Sequence, residues 1–270
     1  MTTPAASGHP ADLALAALGD ALQDWAAPVT SLSVDEAILL DQIGEQPLGM
    51  VTGASVVAVS GLVRLSAGFT ENRELTDLSA ALEASRTHAV ERLADQARSL
   101  GADGVVGVSL DGGDMSRDGN LVHLVATGTA VRSRDHGPGW DGCFTAALSG
   151  HEIHLLSRAG YLPLGIVSGV CAYHVGRRAF SDWASSVTVN QEMTVYTEAL
   201  YAARELAMTR LQDQALALQA DGVVGVTVAE RSGVWGAHVI EFSCIGTAVR
   251  LAADQHRPLH PRLVIDLAGD

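Results

Sequence analysis

Apolar residues recur at helical spacing in two long stretches of the chain. Val90, Leu93, Ala97 and Leu100 fall on one face of the stretch from 75 to 100, and the stretch from 193 to 218 has the same rhythm, so two long amphipathic helices are predicted. Val-rich runs too short for helices flank them. Leu48–Ser60 and Leu162–Val175 precede the helices, Gly104–Leu110 and Gly222–Ala229 follow them, and all four read as strands. Loops rich in Gly and polar residues, 111–120 and 230–236, turn the chain into a further strand each time. Ser33-x-x-Glu36 and Ser149-x-x-Glu152 have capping-box spacing, in which the Ser oxygen and the Glu carboxylate satisfy amides that a helix start leaves orphaned. Each predicts a short helix, stopping at Gly44 or Gly160.

The resulting order, α-β-α-β-β, occurs twice because the sequence itself does. ADGVVGV stands at 102–108 and again at 220–226, and GTAVR at 128–132 and again at 246–250, both at a shift of 118. Arg92, Leu93, Asp95, Gln96 and Ala97 match Arg210, Leu211, Asp213, Gln214 and Ala215 at that same shift. Upstream, Pro47-Leu48-Gly49-Met50-Val51-Thr52-Gly53 matches Pro163-Leu164-Gly165-Ile166-Val167-Ser168-Gly169 at a shift of 116, so repeat 2 carries two extra residues in between. The repeats differ where the long helix ends: repeat 1 has Leu100-Gly101-Ala102, a glycine stop, whereas repeat 2 has Leu218-Gln219-Ala220 and needs another cap.

The chain therefore divides into an N-terminal extension (1–28) with a helix carrying Leu15, Leu18, Leu22 and Trp25, a first domain (29–134), a linker (135–143), a second domain (144–252) and a tail (253–270) with a short apolar run at 263–265. One helix covers one face of a small sheet, yet GVVGV and GTAV are apolar on both faces. The other face needs a partner, which predicts a homo-oligomer or an internal pair of repeats. In Val105-Val106 and Val223-Val224 one residue of each pair should lie under its own helix and the other meet a partner surface.

Composition narrows the function. Asp and Glu number 31 against 17 basic residues, all Arg, for a net charge of -14, which disfavours nucleic acid and anionic membranes as partners. No signal-peptide pattern and no run of 18 apolar residues occurs, consistent with a cytoplasmic protein. Cys143, Cys171 and Cys244 are odd in number and form no C-x-x-C pair. G-x-S-x-G, Walker A and dinucleotide fingerprints are missing, and without Lys there is no Schiff-base chemistry, so the chain reads as non-enzymatic. Asp103 and Asp221 recur between helix and strand, where a structural turn role is expected. His123, which corresponds to Glu241, and His238 are expected to be solvent-facing polar positions.

A strand with V-[ST]-G, a long helix ending D-Q-A-x-x-L-x-A-D, the strand GVVGV and a final GTAVR together resemble the YbjQ family, often labelled a heavy-metal-binding domain. The resemblance covers about 48–134 and 162–250 and implies an α+β fold: two tandem dodecin-like β-α-β-β domains, each a three-stranded antiparallel sheet on one long helix, here with an extra short helix before each. It also implies ring assembly, commonly five-fold, and brings no catalytic residues. The family label directs attention to metal ligands. His151 and His154 lie three apart on a capped helix, a workable chelating pair for a divalent transition metal. Cys171 and His174 are a second pair, although residues three apart on a strand point to opposite faces unless a bulge intervenes. The leading expectation is an oligomer that binds a metal or small ligand at subunit boundaries; the alternatives are a scaffold or shell component whose activity is assembly alone, and an enzyme with a composite site between subunits.

Overall fold

A computed structural model describes residues 29–59, 71–114, 121–134, 142–176, 194–235 and 238–252. The predicted N-terminal helix, most of the linker and the tail lie outside the described residues. Within them the chain is α+β, in the order α1 (Val34–Gln42), β1 (Glu45–Ala58), β2 (Arg73–Glu74), α2 (Thr76–Ser99), β3 (Gly104–Asp114), β4 (Leu121–Ser133), β5 (Phe144–Thr145), α3 (Gly150–Arg158), β6 (Tyr161–His174), α4 (Thr194–Ala217), β7 (Gly222–Ser232) and β8 (Val239–Leu251). Both capping boxes form: Ser33 and Ser149 accept from the Glu36 and Glu152 amides, and each Glu carboxylate accepts from its cap amide at 2.8 Å.

Each repeat builds an antiparallel sheet with its last strand in the middle, and each sheet has four strands where three are expected. The orders are β1-β4-β3-β5 and β2-β6-β8-β7. In both sheets the fourth strand comes from the other repeat: β5, at the head of repeat 2, runs parallel to β3, and β2, from repeat 1, pairs antiparallel with β6 at Arg73↔His174 and Glu74↔Tyr173.

The repeated motifs have structural causes. Gly53 and Gly169, the glycines of V-[ST]-G, let a helix rest directly on the strand: a Cβ there would come within 2.0 Å of the Ala89 carbonyl oxygen or 1.9 Å of that of Ala207. Around these contacts Val51, Leu93, Ala97 and Val105 form the core under α2, and Val167, Ala207, Leu211 and Cys244 the core under α4. Gln96 Oε1 accepts from the Thr52 amide at 2.6 Å, as Gln214 Oε1 does from Ser168 at 2.9 Å, tying helix to strand. The arginine of GTAVR caps the long helix. Arg132 donates to the Gly101 and Leu100 carbonyls at 2.9 and 3.1 Å, and Arg250 donates to those of Gln219 and Leu218 at 3.4 and 3.0 Å. Gly101 takes φ +69 there, and Gln219, at the matching place, takes φ 54, so repeat 2 keeps the left-handed stop without glycine. Asp103 and Asp221 have a structural role as expected, but across strands: their carboxylates accept the amides of Ser133 and Leu251 at the end of the last strand, 2.9 and 2.8 Å away.

The second glycine of GVVGV sits in a bulge. Gly107 (φ +64) and Gly225 (φ +62) coincide with register shifts between Val106 and Ser109 and between Val224 and Thr227. Val105 and Val106 are both fully buried, on opposite faces: Val105 lies in the core under α2, and Val106 packs with Leu40, Phe144, Leu148 and Ile153. The second face of repeat 1 is thus closed by its own α1 together with residues of repeat 2.

Candidate functional site

The described residues of greatest interest line the seam between the repeats, which has two parts. In the first, residues 144–148 extend the sheet of repeat 1 along β3. Phe144 N donates to Asp103 O at 3.1 Å, Ala146 N to Val105 O at 2.8 Å, Gly107 N to Leu148 O at 2.8 Å and Val108 N to Ala146 O at 2.9 Å. The bulge at Gly107 turns those last two amides toward the incoming segment. α3 then lies on α1: Gly150 N donates to Glu36 Oε1 at 3.1 Å, and a Cβ on Gly150 would stand 2.9 Å from that of Glu36. Leu40 and Ala146 are fully buried in this contact, and Ile153 nearly so; burying a side chain of Leu or Ile size contributes about 1.5–3 kcal/mol.

The second part sets α2 of repeat 1 against β6 and β8 of repeat 2. Leu78, Leu82, Val170, Ala172 and Val239 form a shared apolar cluster. Beside it lies a set of buried charges. Arg86 pairs with Glu241 at 3.4 Å, Trp235 Nε1 donates to Glu241 Oε2 at 2.7 Å, and Glu83 accepts from Ser168 Oγ at 3.2 Å and from Gln214 Nε2. Burial pulls the Arg86 guanidinium below its ordinary value, and the carboxylates of Glu241 and Glu83 oppose that shift. Arg210 bridges Glu74 at 2.6 Å and the Val170 carbonyl at 2.5 Å. Glu241, expected to face solvent, is 1 % exposed. Its strand face is roofed by the helix of the other repeat, which pattern within one repeat does not reveal.

The sequence-derived metal candidates fall at different places in this arrangement. His151 is exposed on α3, whereas His154 is buried at the α1–α3 contact with Nδ1 2.9 Å from the Leu39 carbonyl oxygen. Cys171 is fully buried under α4, where desolvation pushes its thiol up to about 12. Ala172, on the same strand face as His174, joins the cluster under α2, so Cys171 and His174 point to opposite sides of the sheet. The His174 ring meets His238 edge-on, with centroids 6.2 Å apart. Cys143 is half-buried and raised to about 11, chiefly by desolvation. Among the described residues no group of three or more His, Cys, Asp or Glu converges as a metal site, and no helix is long and apolar enough to cross a membrane. Residues that sequence reasoning did not single out include Thr129 and Thr247, whose hydroxyls accept the amides of Ser31 and Ala147 and hold the leading segment of each repeat; their signal was their recurrence in GTAVR.

Comparison with known proteins agrees with this architecture. The chain is 36% identical over 229 residues to a protein of Mycobacterium tuberculosis named "Encapsulin nanocompartment protein Rv1762c", covering 82% of this chain and 85% of that one. The family model YbjQ_1, described as "Putative heavy-metal-binding", matches residues 37–134 and again 157–252, one match on each repeat. With both halves of the duplication matched, and the shared motifs placed at helix ends, strand ends and closest contacts, the chain belongs to the YbjQ family.

Proposed function

We propose that this chain is a non-enzymatic structural component of an encapsulin-type nanocompartment, a scaffold or shell protein whose activity is its own assembly. The observation that carries the reading is the exchange at the seam: each repeat receives an edge strand from the other, and the second face of repeat 1 is closed by its own α1 together with residues of repeat 2. A unit completed by a copy of itself is suited to building arrays. The relative's name supplies the kind of array. Light scattering coupled to gel filtration on tag-free protein is expected to give a mass of several 28.1 kDa chains, with discrete particles by electron microscopy. A monomer at every concentration overturns the reading.

A metal role has one supporting observation, the description attached to the family. In that reading His151, exposed on α3, and His154 beside it contribute to a ligand set completed across a chain boundary, while Cys171 and His174, buried on opposite sides of their sheet, lie away from any such boundary. Elemental analysis of the same tag-free sample tests it: a divalent transition metal should be retained, and lost in the His151→Ala/His154→Ala variant. Unchanged zinc, copper and nickel affinity in the variant removes that pair.

A further inference from the structure

We propose that the chains dock head to tail, the 29–32 segment and α1 of one copy entering the β7 edge and α3 face of the next, reproducing between chains the seam seen within one. The inference rests on the assembly reading and specifies its contact. Three observations support it, each an unmatched half of the internal seam.

The first is the open tail. Among the described residues β7 is the edge strand of its sheet, whereas its counterpart β3 is covered by 144–148. Gly225 and Val226 stand where Gly107 and Val108 donate to that segment, at the same bulge. Val226 is 41% and Val228 57% exposed, against 5% for Val108. Beside them a groove of about 790 Å³ is lined by Leu155, Leu156, Tyr161, Val223 and Val224, matching in part the surface that α3 and 144–148 fill on repeat 1.

The second is the ready head. Residues 29–32 sit on their own repeat as 145–148 do on theirs: Ser31 N donates to Thr129 Oγ1 as Ala147 N does to Thr247 Oγ1, and Met50 N donates to Val29 O as Ile166 N does to Thr145 Oγ1. Val34 and Ile38 on α1 are 81% and 55% exposed, although their counterparts Gly150 and His154 are buried in the seam. One difference shapes the docked pair: Val34 replaces the close-packed Gly150, so the first turn of α1 stands farther from the neighbouring α3.

The third is a buried donor. Among the described residues Gln96 Nε2 is buried without a partner, while Nε2 of its counterpart Gln214 donates to Glu83 across the seam. Tyr201 occupies the position of Glu83 in repeat 2 and is 58% exposed. Docking a second copy brings the Tyr201 hydroxyl over Gln96 as the missing acceptor.

The test uses two variants at exposed positions, Ile38→Asp in the head and Leu155→Asp in the tail, checked for native circular dichroism. Each alone should be monomeric by light scattering while the wild type is larger. An equimolar mixture should give a two-chain species, because one intact head then meets one intact tail. Wild-type assembly that survives both variants, or a mixture that stays monomeric, overturns the docking and leaves the assembly reading intact; a monomeric wild type overturns both. Hydrogen exchange on the unmodified chain gives a second readout that does not depend on the variants: Gly225 and Val226 amides should be protected in the assembled protein and exposed on dilution, and equal exchange in both states overturns the docking.

Discussion

Gln219 holds a left-handed backbone with φ 54, a conformation that costs a residue with a Cβ about 1 kcal/mol or more. Gln219→Gly is therefore expected to stabilise the protein by about 1 kcal/mol, read as a rise of roughly 2–4 °C in Tm. At the matching position the reverse change is costly for a second reason: a Cβ on Gly101 would lie 2.7 Å from Arg132 Nη2, displacing the arginine that caps the helix. The cysteines give a second prediction. Burial raises Cys171 to about 12 and Cys143 to about 11, so the folded state holds thiol protons that an unfolded chain would release near pH 9. Their contribution to stability is complete below pH 9 and is lost as pH climbs toward 12. Denaturant midpoints should fall over that window. At pH 8 Cys171 should resist alkylation until the protein unfolds, and rapid labelling of native protein would contradict its burial.

At the scale of elements, the duplicated strands should respond unequally to the same change. Val106 is fully buried between the sheet and α1, 144–148 and α3, whereas its counterpart Val224 is half-buried beside the open groove. Val106→Asp places an unpaired carboxylate in a dry interior and is expected to prevent folding. Val224→Asp should leave native circular dichroism and lower the mass in solution. Equal loss of fold in both would mean that the groove is closed within one chain. The same pair shows what the sequence made legible. The elements and their order could be read from periodicity, because each helix buries one stripe and each capping box announces its own helix. The faces of GVVGV could not be assigned, since the bulge at Gly107 breaks the period of two on which such an assignment depends. Strand exchange was hidden too: nothing in Phe144-Thr145 indicates that it pairs with β3 of the other repeat. The buried Arg86–Glu241 pair left no mark, because its members belong to different repeats and their counterparts, Arg204 and His123, do not preserve the charge pattern. His154 reads as one half of a chelating pair by spacing alone, and only its neighbour Leu39 gives the imidazole another partner.

For the whole molecule, the covalent join between repeats separates two otherwise similar seams. Within a chain the connection keeps 144–148 near β3 at an effective concentration on the order of millimolar, while a seam between chains depends on the bulk concentration. Dilution should consequently open every second seam and release units of two repeats, never one. The join also imposes a parity. A closed circle of whole chains contains an even number of repeats, so a ring of five repeats is inaccessible to this protein, and five-fold closure would take ten repeats around a wider opening.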